Sequence, residues 1–324
     1  MKNKIKLFRE EFSVAGINYR IQSNFDVKNL LFNPQPYNLH INYLIKEKTP
    51  SKNYFMISIL KSTKKLDIQT SNKKLRISGN IDPMFSNDYN PQFGLFGNKG
   101  IINRFILHTL EHSAGISTIH AAAIIHPTKH SVCIAVGSSG SGKSVFTSNA
   151  LKIGWKLIDT EQFLVNANGK VLTGNCYDNV SPKAIKFIEN GLEDAVIFKE
   201  KMLIEPIDSK VFVNLSKYST SLNKFRLKQK NFTLIVLNFG NDQHRFGSKI
   251  IDNDFLLRVI QQTASEKICY PLIFNDRIFN LNLSGNPESR SIVVNSLIAK
   301  AKDKIILGGD YLDFEKWLKD EYEN

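Results

Sequence analysis

The stretch Gly137-Ser138-Ser139-Gly140-Ser141-Gly142-Lys143-Ser144 reads G-x-x-x-x-G-K-S, and the fold of the chain follows from it. Ahead of it runs Ser131-Val132-Cys133-Ile134-Ala135-Val136, a short apolar, β-branched segment that predicts a buried strand. Behind it, Val145 to Ile153 predicts a helix that Gly154 stops. Strand, glycine loop and helix in that order turn a pattern match into a phosphate site. Glycines let backbone N–H groups converge on phosphate oxygens, and the helix N-terminus adds partial positive charge. Lys143 is placed to reach the terminal phosphates and the Ser144 hydroxyl to ligate Mg²⁺. A plain Gly/Ser-rich turn is the competing reading, and the full match in this context outweighs it.

On one side of this unit, Ile116 to Ile125 predicts a strand containing His120-Ala121-Ala122-Ala123. Pro127-Thr128-Lys129 then turns the chain into the strand that feeds the glycine loop. Small residues after His120 permit close packing, and taken alone a histidine there reads as structural. On the other side, Trp155 to Val165 predicts one strand with Asp159 and Glu161 near its middle. In an extended strand those acids face one side and Thr160 the other. Asn168-Gly169 predicts a type I′ hairpin turn, with Lys170 to Gly174 as the returning strand. Further on, Ser181-Pro182 opens a short helix through Ile188, and Phe232 to Phe239 reads as a buried strand. Asp252 to Thr263 predicts a helix with an aspartate cap, and Pro287 to Ala301 and Phe314 to Tyr322 predict amphipathic helices. Pattern does not resolve Ala195 to Val213.

Toward the N-terminus, Phe12 to Ile21, Tyr54 to Leu60, Leu66 to Gln69 and Leu75 to Ser78 predict strands of one antiparallel sheet. Residues 84–99 read as a loop, and Gly100 to Ser113 has helical spacing. The expected organisation is a β-rich N-terminal domain over 1–95 and an α/β domain carrying the glycine loop over 96–324.

At 324 residues, with 42% apolar and 23% charged residues, the composition is that of an ordinary globular protein. No apolar run approaches a membrane span, and the basic start Met1 to Lys6 is followed by Arg9, Glu10 and Glu11 rather than by a signal core. A cytoplasmic protein with no membrane partner is expected. Cys133, Cys176 and Cys269 have neither disulfide nor metal spacing. His108 and His112, four apart on a helix, read as bland surface or core residues rather than ligands. The net charge of +13 suits an anionic partner. Its lysines and arginines are dispersed and no aromatic-interleaved motif accompanies them, so nucleic acid is not expected.

A glycine loop says nucleotide, and a second motif must say what is done with it. Ordinary P-loop NTPases end a later strand in an aspartate. Here Thr233 to Leu237 runs into Asn238, and Lys304 to Leu307 reaches Asp310 only after two glycines. The acids that stand out are Asp159 and Glu161, one helix and one strand beyond Lys143. With His120-Ala121-Ala122, Gly137 to Ser144, Gly154 and Leu157-Ile158-Asp159-Thr160-Glu161 in that order, the chain resembles the HPr kinase/phosphorylase family. That family shares its P-loop architecture with phosphoenolpyruvate carboxykinases. The resemblance covers about residues 100–175 in motifs, and the layout of the β-rich N-terminal region agrees with it.

The resemblance implies transfer of the ATP γ-phosphate, with Mg²⁺, to a serine or threonine hydroxyl of a protein or peptide. An HPr-like protein and a natural-product precursor peptide are both acceptors of the kind such proteins use, and the basic balance suits an acidic one. By analogy with oligomeric relatives, a homo-oligomer is also implied. The family's strand ends in two aspartates, a general base and a metal ligand, and these places fall on Thr160 and Glu161. Glu161 keeps a carboxylate for the metal beside Ser144, whereas a threonine hydroxyl is no base near neutral pH. Three readings stay open: Asp159 serves as base, His120 does, or the protein is a nucleotide-binding pseudokinase without transfer. General-base help is typically worth about 10²–10⁴-fold, so its loss slows phosphoryl transfer more than it forbids it. Arg245, Arg277 and Arg290 are candidate phosphate contacts.

Overall fold

A computed structural model describes residues 6–32, 45–46, 53–84, 93–172, 175–189, 191–198, 211–220, 226–228, 231–239, 247–269, 272–274, 277–279 and 281–322. The chain is mixed α/β and divides into two compact units. The first takes in Met1–Ala114 and Lys267–Asn286; the second is built around Gly115–Lys201, Glu205–Glu266 and Pro287–Asn324. The expected cut near residue 95 lies inside the first unit.

In the first unit, β1 (Phe8–Val14) and β2 (Ile17–Ser23) form an antiparallel hairpin. Apolar alternation runs across the bend, so pattern alone merges the two into one strand. The bend itself is Ala15-Gly16, both at positive φ (52° and 85°), as a two-residue type I′ turn demands. After α1 (Lys28–Phe32) come β3 (Ile45–Lys46), β4 (Phe55–Lys61), β5 (Asp67–Ser71) and β6 (Lys74–Gly79). Their order in the sheet is β3-β1-β2-β4-β6-β5. The β2–β4 and β4–β6 pairs are parallel, so the sheet is mixed rather than antiparallel. Period-two alternation fixes which face is buried and says nothing of strand direction.

Helix α2 (Ile101–Ala114) belongs with this sheet. The buried Tyr19 hydroxyl lies 2.6 Å from Thr109 Oγ1, and the Phe55 and Phe105 rings meet edge-on. The Gly285 N–H donates to His108 Nδ1 at 3.2 Å, and His112 Nε2 donates to the Gly285 carbonyl at 2.9 Å. Burial, with the charge of His112 beside it, holds His108 down to about 4, so its ring stays a neutral acceptor.

The second unit opens with β7 (Ile116–Ile119) and β8 (Ala121–Ile125), which join different sheets and change over at His120. The expected single strand is therefore broken there. Next come β9 (Val132–Val136), α3 (Lys143–Lys152), β10 (Lys156–Asp159) and β11 (Phe163–Asn166). The single strand expected over 155–165 is likewise two strands, parted by a turn at Thr160 to Gln162. At the following hairpin only Gly169 has positive φ, and its N–H bonds the Asn166 carbonyl. That geometry fits a three-residue loop with a bulge, not the type I′ turn expected of Asn168-Gly169.

The chain continues through β12 (Tyr177–Val180), α4 (Pro182–Glu189), β13 (Val196–Phe198), β14 (Val211–Asn214), β15 (Phe232–Phe239) and β16 (Gly247–Ile250). Helix α5 (Asn253–Cys269) follows, with Asp252 Oδ1 capping the Phe255 N–H as expected. The hairpin β17 (Leu272–Phe274) and β18 (Arg277–Phe279) falls in the first unit. The second unit closes with α6 (Pro287–Lys300), β19 (Asp303–Gly309) and α7 (Tyr311–Tyr322).

The main sheet has the order β10-β8-β9-β15-β19-β16. Alternation sorts its faces. Cys133, Ala135, Ile235 and Leu237 pack with Phe146 of α3 and Phe314 and Leu318 of α7. Val132, Ile134, Leu234 and Val236 pack with Ile260 of α5 and Val293 and Leu297 of α6. Helices thus cover both faces of a largely parallel centre, and its strands read as continuous apolar runs for that reason. Among the described residues no helix is long and apolar enough to cross a membrane.

Candidate functional site

Strands β9, β15 and β19 are mutually parallel, and β10 points the same way because β8 pairs antiparallel with both β9 and β10. Their C-terminal ends therefore share one edge, and β8 starts from it. Ala121 is opposite Val136 and Asp159 is opposite Ala123. The edge thus presents, in sheet order, the Thr160–Glu161 turn, His120, the 137–144 loop and the end of β15. In α/β sheets this C-terminal edge is where ligands bind.

The loop is exposed at its tip, Ser138 to Gly140, and buried at its base. Gly142 stands at the N-cap of α3 with φ 96°. A Cβ there would lie 2.6 Å from Phe239 Cβ, so any other residue would both clash and strain the backbone. Gly140 also has positive φ and nothing within 4 Å of where its Cβ would be, so the loop is open on that side. Gly142 has no side chain to cap the first turn of α3, so that positive helix end faces the loop.

Lys143 is buried beneath the loop, and its ammonium donates to the carbonyls of Gly137 at 2.6 Å and Ser138 at 2.9 Å. Ser144 is half-buried in the first turn of α3, and its carbonyl accepts from the Ser148 hydroxyl. The Ser141 Oγ is buried with no hydrogen-bond partner. Open backbone, a retained ammonium, a helix N-terminus and an unpartnered hydroxyl are the chemistry that fits a phosphate chain.

The acidic turn is built differently from an extended strand. Asp159 is wholly buried, and its Oδ1 accepts the Glu161 and Gln162 N–H groups at 2.8 Å each. Its Oδ2 accepts the Asn175 N–H, also at 2.8 Å. Burial pushes this carboxyl up to about 8, against the pull of the three N–H groups. Thr160 is buried too: its hydroxyl donates to the Tyr177 carbonyl at 2.6 Å and accepts from Asn175 Nδ2 at 3.0 Å. Glu161 is the partly exposed acid of the turn.

His120 is buried at the edge, with Nδ1 at 2.6 Å from Glu266 Oε2 of α5. Arg290 is buried in α6, while Arg245 and the side chain of Arg277 lie outside the described residues. Among the described residues no three His, Cys, Asp or Glu side chains cluster as a ready-made metal site. Any Mg²⁺ here would draw ligands from phosphate oxygens and water as well as from Ser144 and Glu161, which is how that ion is usually held. Sequence reasoning missed Asn175, which bridges the Asp159 and Thr160 side chains, and Glu266; neither lies in a motif or near the loop in sequence. Compared with known proteins, the chain matches no family model and no curated relative.

Proposed function

We propose that the chain is an ATP-dependent phosphotransferase of the HPr-kinase type, acting on a serine or threonine hydroxyl of a protein or peptide. The observation that carries this reading is the 137–144 loop, open at its tip and seated on a helix N-terminus with a lysine tucked under it. In the proposal, backbone N–H groups from Gly140 to Lys143 take the β-phosphate. The Lys143 ammonium exchanges the Gly137 and Ser138 carbonyls for β- and γ-phosphate oxygens. Ser144 and Glu161 hold Mg²⁺, which neutralises charge on the phosphates. Asp159, with both oxygens on backbone N–H groups, has the role of fixing the turn that carries Glu161. His120 is then the group at this edge that can accept the hydroxyl proton.

A second reading is favoured by one observation: the hydroxyl of Thr160, at the family's base position, is tied to Tyr177 and Asn175. This is the nucleotide-binding regulatory protein without transfer. Labelled ATP, Mg²⁺ and acidic serine- or threonine-bearing peptides separate the two. The kinase reading expects phosphopeptide from the wild type and a loss of about 10²–10³-fold in kcat on Lys143→Ala, the scale for removing a charge-stabilising donor. Tight ATP binding with phosphate passed neither to peptide nor to water leaves the regulatory reading. ATP binding indifferent to Lys143→Ala removes both.

A further inference from the structure

We propose that Glu266 is a positioning residue for phosphoryl transfer: its carboxylate holds His120 so that the imidazole receives the acceptor's proton beside the 137–144 loop. This inference rests on the kinase reading above. It starts from the place where β7 gives way to β8. There the His120 N–H donates to the Thr263 carbonyl at 3.2 Å, and His120 Nδ1 lies 2.6 Å from Glu266 Oε2. Both anchors belong to α5, within one turn of each other. Backbone and ring of the same residue are therefore fixed by the same element. The two side chains are only 8% and 14% exposed, so water competes little for the pair.

The chemistry follows from the partner. With Glu266 ionised, its carboxylate only accepts, which puts the hydrogen on Nδ1 and the basic lone pair on Nε2. A negative charge at Nδ1 also stabilises the imidazolium formed when Nε2 takes a proton. Position supplies the rest. In the sheet order, β8 lies between β9 and β10, which places His120 between the glycine loop and the acidic turn. The competing groups at that edge are engaged. The Thr160 hydroxyl donates to a carbonyl, and both Asp159 oxygens accept backbone N–H groups.

In the step itself the acceptor's O–H bond breaks and its proton passes to Nε2. The hydroxyl oxygen bonds to the γ-phosphorus while the bond from that phosphorus to the β–γ bridging oxygen breaks. ADP leaves with the electron pair.

A purely structural strap between β8 and α5 is the alternative, and steady-state ATP hydrolysis, with water as acceptor, tells the two apart. Wild type, Glu266→Gln, His120→Gln, the double variant and Lys143→Ala are compared, each checked for folding by thermal denaturation. Expected are kcat losses of about a hundredfold or more for each single variant, within the 10²–10⁴-fold scale of general-base help. KM for ATP should stay within about twofold, the signature of an interaction made in the transition state. The double variant should be no slower than His120→Gln, since the two side chains act as one unit. Glu266→Gln at wild-type kcat, or losses that multiply in the double variant, overturns the proposal. If Lys143→Ala alone abolishes turnover, the kinase reading stands without it; if the wild type binds ATP and passes phosphate neither to water nor to the acidic peptides, both fall. Should the Glu266 variants not fold, ¹⁵N NMR of wild-type His120 decides: a hydrogen on Nε2 with a bare Nδ1 overturns the assignment.

Discussion

Asp159 and Thr160 sit side by side in one turn, and neither can be exchanged without cost. For Asp159 the folded carboxyl is pushed up to about 8 by burial, from an ordinary value near 4. The folded state then holds its proton across a window in which the unfolded chain has released it. Stability from this group is full below about pH 4 and falls as pH rises toward about 8. Urea denaturation of wild type and Asp159→Asn from pH 4 to 9 should show the wild type losing stability relative to the variant across that window. Parallel curves would sink the expectation. For Thr160 the argument is donor balance. Its hydroxyl donates to the Tyr177 carbonyl, and an ionised aspartate could only turn oxygen toward oxygen there. Thr160→Asp, which puts an aspartate where the resemblance to HPr kinases expects one, should therefore cost about 1–3 kcal/mol of stability and, under the proposed kinase reading, leave ATP turnover no faster. Faster turnover at unchanged stability would mean that the position is open to a base after all.

At the scale of elements, the β1–β2 turn carries a removable strain. Ala15 has φ 52°, a conformation that costs an L-residue with a Cβ about 1–2 kcal/mol and that asparagine tolerates better. Ala15→Asn gives the Asn-Gly pair such hairpins favour. It should raise the urea midpoint by the equivalent of about 1 kcal/mol with the slope unchanged. Ala15→Val should lower it. The same turn shows what could be read in the sequence and what could not. Strand β9, the loop, α3 and β15 were legible because apolar run, glycine spacing and helix stop are all local signals. The Ala15-Gly16 bend was hidden because alternation continues through it. The break after Asp159 was hidden because its cause, a carboxylate accepting N–H groups from Glu161, Gln162 and the distant Asn175, is tertiary. His120 stood out beside three alanines, but its partner Glu266 is brought to it only by the packing of α5.

Over the whole molecule, under the proposed kinase reading, the net charge of +13 bears on how an acceptor arrives. Dispersed lysines and arginines act as a field rather than as a pocket, and such a field favours encounter with anionic partners at low salt. Its reach is the Debye length, about 10 Å at 0.1 M and about 3 Å at 1 M. If the acceptor is an acidic peptide, kcat/KM at saturating ATP should fall about tenfold or more between low and high salt. The kcat at saturating peptide should move little, because steering acts on encounter and not on the bound complex. A neutral peptide of the same length carrying the same serine separates this from general salt effects on the protein. Its kcat/KM should stay nearly flat over the same range. Equal salt slopes for the two peptides would show that the basic balance serves solubility alone, and that the acceptor is chosen by contacts at the sheet edge.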